Sequence, residues 1–112
     1  MARQSKANRR SNNLRFGEWL RRLRESRELP LRVVAAAAEM DQAHLSKVEL
    51  GQRMLTAEQG LAIARFFGMK QTEIEARRIV EKFRVEHGEN PAAKAAINLL
   101  HEEPGCYLGK KT

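Results

Sequence analysis

A six-residue segment near the middle of the chain carries polar and small side chains at close spacing. Gln42, His44 and Lys47 are polar, and Ala43 and Ser46 between them are small. A glutamine amide can pair with N6 and N7 of adenine, and an alanine methyl can contact the methyl of thymine. His44 could donate to guanine or to a phosphate. On a helix, these side chains could be presented together to base edges in a DNA groove.

Residues with catalytic or metal-binding spacing are absent from the sequence. The three histidines, His44, His87 and His101, lack cysteine or carboxylate partners at the spacing of a metal site. The sequence also lacks a glycine-rich loop of the type that holds phosphate. We therefore expect no enzyme activity, no bound metal and no cofactor.

Two short helices joined by a tight turn are predicted over residues 31–49. Their apolar positions fall where two crossed helices would bury side chains against each other. These positions are Val34, Ala35, Ala38, Met40, Leu45 and Val48. The turn is predicted at Glu39 and Met40, and the carboxylate of Asp41 can cap the second helix. This layout predicts a helix-turn-helix whose second helix, residues 41–50, enters the major groove of DNA.

An amphipathic helix is predicted before this motif, over residues 14–28. Its apolar stripe has helical spacing and consists of Phe16, Trp19, Leu20 and Leu23. We expect Trp19 to anchor the core. Two oppositely charged pairs four residues apart, Arg21 with Glu25 and Arg24 with Glu28, can support the helix weakly.

Three further helices are predicted after the motif. Thr56 and Gln59 form a capping box that begins the fourth helix, because each side chain can bond the other's backbone N–H. The inner face of this helix is predicted to hold Leu61, Ile63, Ala64 and Phe67. A fifth helix is predicted over residues 72–86 and a final one over residues 92–102, with a break between them at Gly88 and Pro91.

The basic charge is concentrated at the start of the chain. The net charge is +7, and residues 1–30 alone hold nine basic and three acidic residues. Residues 1–13 lack apolar periodicity, and we expect a basic arm that contacts DNA through Arg9 and Arg10. The single cysteine, Cys106, and the lack of a membrane-length apolar run favour a cytoplasmic protein with no membrane partner.

The run Leu45-Ser46-Lys47-Val48-Glu49, followed by Gly51 and Arg53, resembles the phage repressor/Cro-like (Xre-like) family. The resemblance covers residues 14–75. It implies that Arg53 contacts the DNA backbone and that Glu49 is structural, pairing with a basic group of its own domain. The family often has Gln where this chain has Leu31, so Arg32 is expected to supply the phosphate contact. The family usually has Gly where this chain has Glu39, which implies a positive φ at that residue.

Together these features predict an all-α protein. We expect a flexible basic arm over residues 1–13, a repressor-like helix-turn-helix domain over residues 14–75 in a five-helix arrangement, and an additional C-terminal helix in an extension over residues 76–103. A short tail, residues 104–112, follows. Because repressor-like domains usually bind inverted repeats as two-fold dimers, the extension is expected to form a homodimer; the alternative is that the last helix folds back onto its own domain. Its candidate interface residues are Phe83, Val85, Ile97, Leu99 and Leu100.

Several functions remain open at the level of the sequence. The first is a sequence-specific transcriptional regulator, a repressor that binds double-stranded DNA. The second is an antitoxin with the same fold, whose C-terminal extension binds a toxin protein while its DNA-binding domain autoregulates. The third is a helical interaction module that has lost DNA binding. The fourth is a nonspecific nucleic-acid binder that acts through the basic arm.

Overall fold

Six α-helices make up the part of the chain that the computed structural model describes, residues 14–102, and this part contains no strand. In chain order they are α1 (Phe16–Ser26), α2 (Leu31–Ala37), α3 (Gln42–Glu49), α4 (Ala57–Phe67), α5 (Gln71–His87) and α6 (Pro91–Glu102). The chain divides into two compact units, Met1–Glu81 and Lys82–Thr112, so the boundary lies within α5. No helix in the described residues is long and apolar enough to span a membrane.

The hydrophobic core belongs to the first unit. It is formed by Phe16, Trp19, Leu20, Val34, Ala35, Ala38, Leu45, Val48, Leu55, Ile63, Ala64, Phe67 and Ile74. The predicted stripe of α1 is confirmed, with Leu23 partly buried against the core and Trp19 buried within it. The predicted place of Leu61 in the inner face of α4 is wrong, because Leu61 is only half-buried and the buried glycine Gly60 lies beside it.

Four helices end in a similar way, with a residue in the left-handed region just past the last helical turn. Gly51 and Gly68 fill this position after α3 and α4, with φ of 83° and 71°. Glu28 and Glu39 fill it after α1 and α2, with φ of 55° and 54°. The positive φ that the family resemblance implied at Glu39 is therefore confirmed, whereas that at Glu28 was not anticipated.

The start of α4 is the capping box that the sequence predicted. The backbone N–H of Gln59 donates to the Thr56 hydroxyl at 3.1 Å, and the backbone N–H of Thr56 donates to the Gln59 side-chain oxygen at 2.9 Å. Two of the N–H groups that a helix start leaves without intrahelical partners are satisfied in this way. The direction in which the chain enters α4 is thereby set by local sequence.

The second unit contains the end of α5 and all of α6. Asn90 stands before α6, and its side-chain oxygen accepts the backbone N–H of Ala92 at 2.9 Å. The rings of Phe83 and His87 lie with centroids 5.0 Å apart. None of the residues of α6 is buried, although much of this helix is apolar.

Candidate DNA-binding surface

The turn between α2 and α3 sets the geometry of the surface. The backbone N–H groups of Ala38 and Met40 both donate to the carbonyl of Ala35, at 3.1 and 3.0 Å, which closes the end of α2. Asp41 then adopts an extended conformation as the residue before α3. Its carboxylate makes no capping hydrogen bond, so the predicted side-chain cap is wrong, although its position is right. The start of α3 therefore depends on the backbone turn and on packing.

Two buried side chains fix the rotation of α3 about its axis. Leu45 is 0% exposed and Val48 is 1% exposed, and both belong to the core. Because they lie three residues apart, they hold one face of the helix against the domain. The opposite side is directed to solvent: Gln42, Ala43 and Lys47 are exposed. His44 and Ser46 are half-buried at the edges of this face.

Two of the four predicted contacts outside α3 also lie at the surface. Arg32, in the first turn of α2, is exposed, and so is Arg53, which follows α3 by four residues. Arg9 and Arg10 lie outside the described residues. Whether any of these residues contacts DNA stays a prediction.

An ion pair at the end of α3 removes one carboxylate from the exposed face. Arg24 donates from Nε to one oxygen of Glu49 at 2.8 Å and from Nη2 to the other at 3.0 Å. Nη1 of Arg24 donates to the carbonyl of Leu29 at 2.8 Å. The side chains of Arg24 and Glu49 are only 12% and 6% exposed. The structural pairing expected for Glu49 is therefore present, and the predicted pair of Arg24 with Glu28 is wrong.

The ion pair also stabilises the protonated form of Arg24. Its hydrogen bonds to Glu49 raise the pKa of the Arg24 guanidinium above its ordinary value, against the opposing effect of burial. Since arginine is always protonated in proteins, the carboxylate of Glu49 lies beside a permanent positive charge. Residues 42–47 contain no carboxylate, and the exposed Asp41 stands directly before them. Within α3, the only carboxylate is that of Glu49, and its repulsion of phosphates is reduced by the paired Arg24.

A close approach between α1 and α3 was missed by the sequence analysis. A Cβ atom placed on Gly17 would lie 2.2 Å from the carbonyl oxygen of Val48 and 2.6 Å from that of Glu49. Only glycine allows the first turn of α1 to reach the last turn of α3 in this way. A glycine inside a strongly amphipathic helix was the available sequence signal.

An ion pair that joins α5 to the start of α1 was also not predicted from the sequence. The carboxylate of Glu81 accepts hydrogen bonds from the Arg15 guanidinium and from the backbone N–H of Phe16. Arg15 and Glu81 are 66 positions apart in the sequence. No local pattern indicates such a pair.

The motif geometry agrees with the comparison to known families. Residues 15–76 match the family model of a helix-turn-helix domain, which is more than half of the 112-residue chain. The fold is thus that of an all-helical protein with a helix-turn-helix motif. The chain belongs to the helix-turn-helix domain family, in agreement with the predicted repressor/Cro-like resemblance. No curated protein and no solved structure matches the chain significantly.

Proposed function

We propose that this protein is a sequence-specific DNA-binding transcriptional regulator, a repressor that reads an inverted-repeat operator through α3. The observation that carries the proposal is the orientation of α3. Leu45 and Val48 are buried, Glu49 is paired with Arg24, and Gln42, Ala43 and Lys47 face solvent. This leaves an outward face whose side chains can bond base edges and phosphates.

In this proposal the contacts have distinct roles. Gln42 and Ala43 contact bases from the first turn of α3, and His44 and Ser46 contribute from its edges. Lys47, Arg32 and Arg53 contact phosphates, and Arg9 and Arg10 extend the phosphate contacts along the duplex. The protein acts in the cytoplasm as a five-helix domain with an additional C-terminal helix, and has no enzyme activity.

The proposal is tested by fluorescence anisotropy against the DNA upstream of the protein's own reading frame. A scrambled duplex of the same length and composition serves for comparison, at physiological salt. Specific regulators bind their sites at least about a thousandfold more tightly than unrelated DNA. The double variant Gln42→Ala, Lys47→Ala is expected to lose this preference.

A matched control uses the same two residue types elsewhere. Lys70 and Gln71 are both exposed at the start of α5. The double variant Lys70→Ala, Gln71→Ala removes the same charge, and is expected to leave the preference intact. Equal binding of the wild-type chain to both duplexes, unchanged by the substitutions in α3, would contradict the proposal.

The exposed apolar side chains of the second unit favour binding to a protein partner, which in this proposal is a second copy of the chain. Four large apolar side chains there are at least 48% exposed: Val85, Ile97, Leu99 and Leu100. Phe83 is half-buried and completes the predicted interface. Apolar groups at this exposure favour association, because burying them removes apolar surface from water.

The same residues support the antitoxin alternative, in which a toxin protein replaces the second copy. The two cases differ in the mass of the purified protein. Light scattering should give two chains for the homodimer. A one-chain mass that becomes a heteromeric mass on co-expression with the product of an adjacent gene would favour the antitoxin.

A further inference from the structure

Leu50, directly after α3, is the most exposed large apolar side chain among residues 14–102, with 64% of its surface accessible. A single exposed leucine is common on proteins, because much of any protein surface is apolar. Leu50 differs from such a residue in its location, since it continues the helix that is proposed to read DNA. Its direction on that helix therefore decides what it can contact.

The backbone of Leu50 continues the turn of α3. Its φ of −84° and ψ of −2° are right-handed, and its N–H donates to the carbonyl of Ser46 at 3.1 Å. Leu50 follows Ala43 by seven residues, and seven steps of about 100° return a side chain to within about 20° of the same direction. Ala43 and Lys47 on this line are both exposed. Ala43 and Leu50 thus lie on one outward line of the helix, about 10 Å apart along its axis.

The packing of α3 keeps Leu50 out of the core. Leu45 and Val48 are buried on the opposite side of the helix and fix its rotation. Gly51, with a φ of 83°, ends the helix directly after Leu50. The outward direction of Leu50 is therefore set by the same contacts that direct Gln42, Ala43 and Lys47 to solvent.

An open depression of about 280 Å³ lies beside Leu50, between α1 and the end of α3. Its lining holds two arginines and two glutamates, so it has no net charge that would select an anionic ligand. Each of these charged groups is paired within the domain: Arg15 with Glu81, Arg21 with Glu25, Glu18 with Arg22 and Glu49 with Arg24. Among the lining residues, Leu50 supplies the apolar side chain. An apolar contact is thus the interaction that this end of α3 offers.

The chemistry of the major groove identifies the group that such a side chain can recognise. A leucine side chain has no hydrogen-bond donor or acceptor, so it cannot pair with the polar atoms of a base edge. The apolar group presented in the major groove is the C5 methyl of thymine. The same methyl on cytosine, in 5-methylcytosine, is attached to the equivalent ring carbon. With about 3.4 Å between base pairs, the 10 Å between Ala43 and Leu50 corresponds to about three base pairs.

We propose that Leu50 is a specificity-determining residue that recognises the C5 methyl group of a pyrimidine in the operator. The recognised base lies about three base pairs from the thymine that Ala43 contacts. This inference rests on the proposed function, because it assigns a further base contact to α3. It adds an apolar contact at the end of the helix to the polar contacts at its start.

The test removes methyl groups from the DNA and the apolar side chain from the protein in one cycle. Within the part of the upstream duplex that the wild-type chain protects, each thymidine is replaced in turn by deoxyuridine, which lacks only the C5 methyl. Loss of one buried methyl should weaken wild-type binding about fourfold in fluorescence anisotropy. At one of the sensitive positions, Leu50→Ala should bind the thymidine and deoxyuridine duplexes equally. At the position read by Ala43, Leu50→Ala should leave the difference unchanged.

A second arm distinguishes the two sources of the methyl group. In a parallel set of upstream duplexes, each cytosine is replaced in turn by 5-methylcytosine. Sensitivity to deoxyuridine that depends on Leu50 would assign the methyl to thymine. Tighter wild-type binding to a methylated duplex, lost in Leu50→Ala, would assign it to 5-methylcytosine. Either result supports recognition of a C5 methyl by Leu50.

Two control variants separate this role from a general effect on the protein. Leu50→Met keeps a large apolar side chain and should retain the discrimination. Ile79→Ala removes an apolar side chain of similar size and exposure from α5, where it is 54% exposed, and should also retain it. Trp19 fluorescence reports whether each variant is folded.

The outcomes distinguish the inference from the function beneath it. Methyl effects that are the same in the wild type and in Leu50→Ala at every position would overturn the role of Leu50 and leave the sequence-specific function intact. The same holds if Leu50→Ala weakens binding to all duplexes by one common factor, which would indicate a contact with the sugar-phosphate backbone. Equal wild-type affinity for the upstream and scrambled duplexes would overturn both proposals.

Discussion

Single residues decide how closely the helices of this protein can approach one another. Gly17 and Gly60 are both buried glycines inside helices, yet their surroundings differ. A Cβ on Gly17 would overlap two backbone carbonyl groups, which cannot move aside. A Cβ on Gly60 would meet only the Arg78 side chain, at 4.0 Å. The same substitution should therefore have opposite effects at the two positions.

We expect Gly17→Ala to destabilise the protein by about 3 kcal/mol, since the overlap forces α1 away from the end of α3. Gly60→Ala should stabilise it by about 0.5–1 kcal/mol, because alanine loses less conformational freedom in a helix. Urea unfolding followed by Trp19 fluorescence measures both free energies. Similar effects of the two substitutions would show that the close approach at Gly17 is absent.

The Arg24–Glu49 ion pair gives a second prediction at this scale. Glu49→Ala should destabilise the protein by about 3–5 kcal/mol, because it leaves the guanidinium of Arg24 buried without its partner. The double variant Arg24→Met, Glu49→Leu should recover much of this loss, since neither charge then has to be desolvated. Thermal unfolding checks the comparison. A double variant as unstable as the sum of the single variants Arg24→Met and Glu49→Leu would contradict it.

At the scale of the elements, two helices are followed by glutamate at a left-handed position that favours glycine. Gly51 and Gly68 occupy the left-handed positions after α3 and α4, but Glu28 and Glu39 occupy those after α1 and α2. A residue with a Cβ is strained in this conformation, whereas glycine is not. The turn of the DNA-binding motif therefore contains local strain at Glu39.

We expect Glu39→Gly to stabilise the protein by about 0.5–1 kcal/mol. The relief of strain, about 1–2 kcal/mol, exceeds the entropy that glycine adds to the unfolded chain. Glu73→Gly, at an exposed helical position in the first turn of α5, is the control and should destabilise. The denaturation midpoints of the two variants should move in opposite directions. A lower midpoint for Glu39→Gly would mean that its carboxylate has a stabilising contact.

At the scale of the whole molecule, the two units differ in whether their apolar side chains form a buried core. Among the described residues of the first unit, thirteen apolar residues are buried. In the second unit the large apolar residues of α6 are exposed, so its stability is expected to depend on association. The proposed dimer gives this surface a partner of the same sequence.

The double variant Ile97→Glu, Leu100→Glu should convert a two-chain mass to a one-chain mass in light scattering at micromolar concentration. Charges at these positions would have to be desolvated in the interface. Affinity for a two-site operator should fall, while affinity for a single half-site should change little. The variant Lys94→Glu, Asn98→Glu places two glutamates at exposed polar positions of α6 and separates charge from loss of apolar surface. A one-chain mass for the wild type would contradict the homodimer.

The amino-acid sequence by itself determined the helices, the motif and the inward face of α3. These features depend on residues within one or two helical turns of each other: the spacing of Phe16, Trp19 and Leu20, the pairing of Thr56 with Gln59, and the burial of Leu45 and Val48. Periodicity and capping record such relations directly, since both follow from the geometry of a single helix.

Only the tertiary structure decided which distant residues meet. Arg24 bonds Glu49, 25 residues away, although Glu28 stands at the helical spacing that favoured it. Arg15 bonds Glu81, and Gly17 admits the end of α3. These contacts depend on how whole helices are placed against one another, which no local pattern in the chain records. The tertiary packing thus set the electrostatics around α3 and the attachment of α5 to the start of α1.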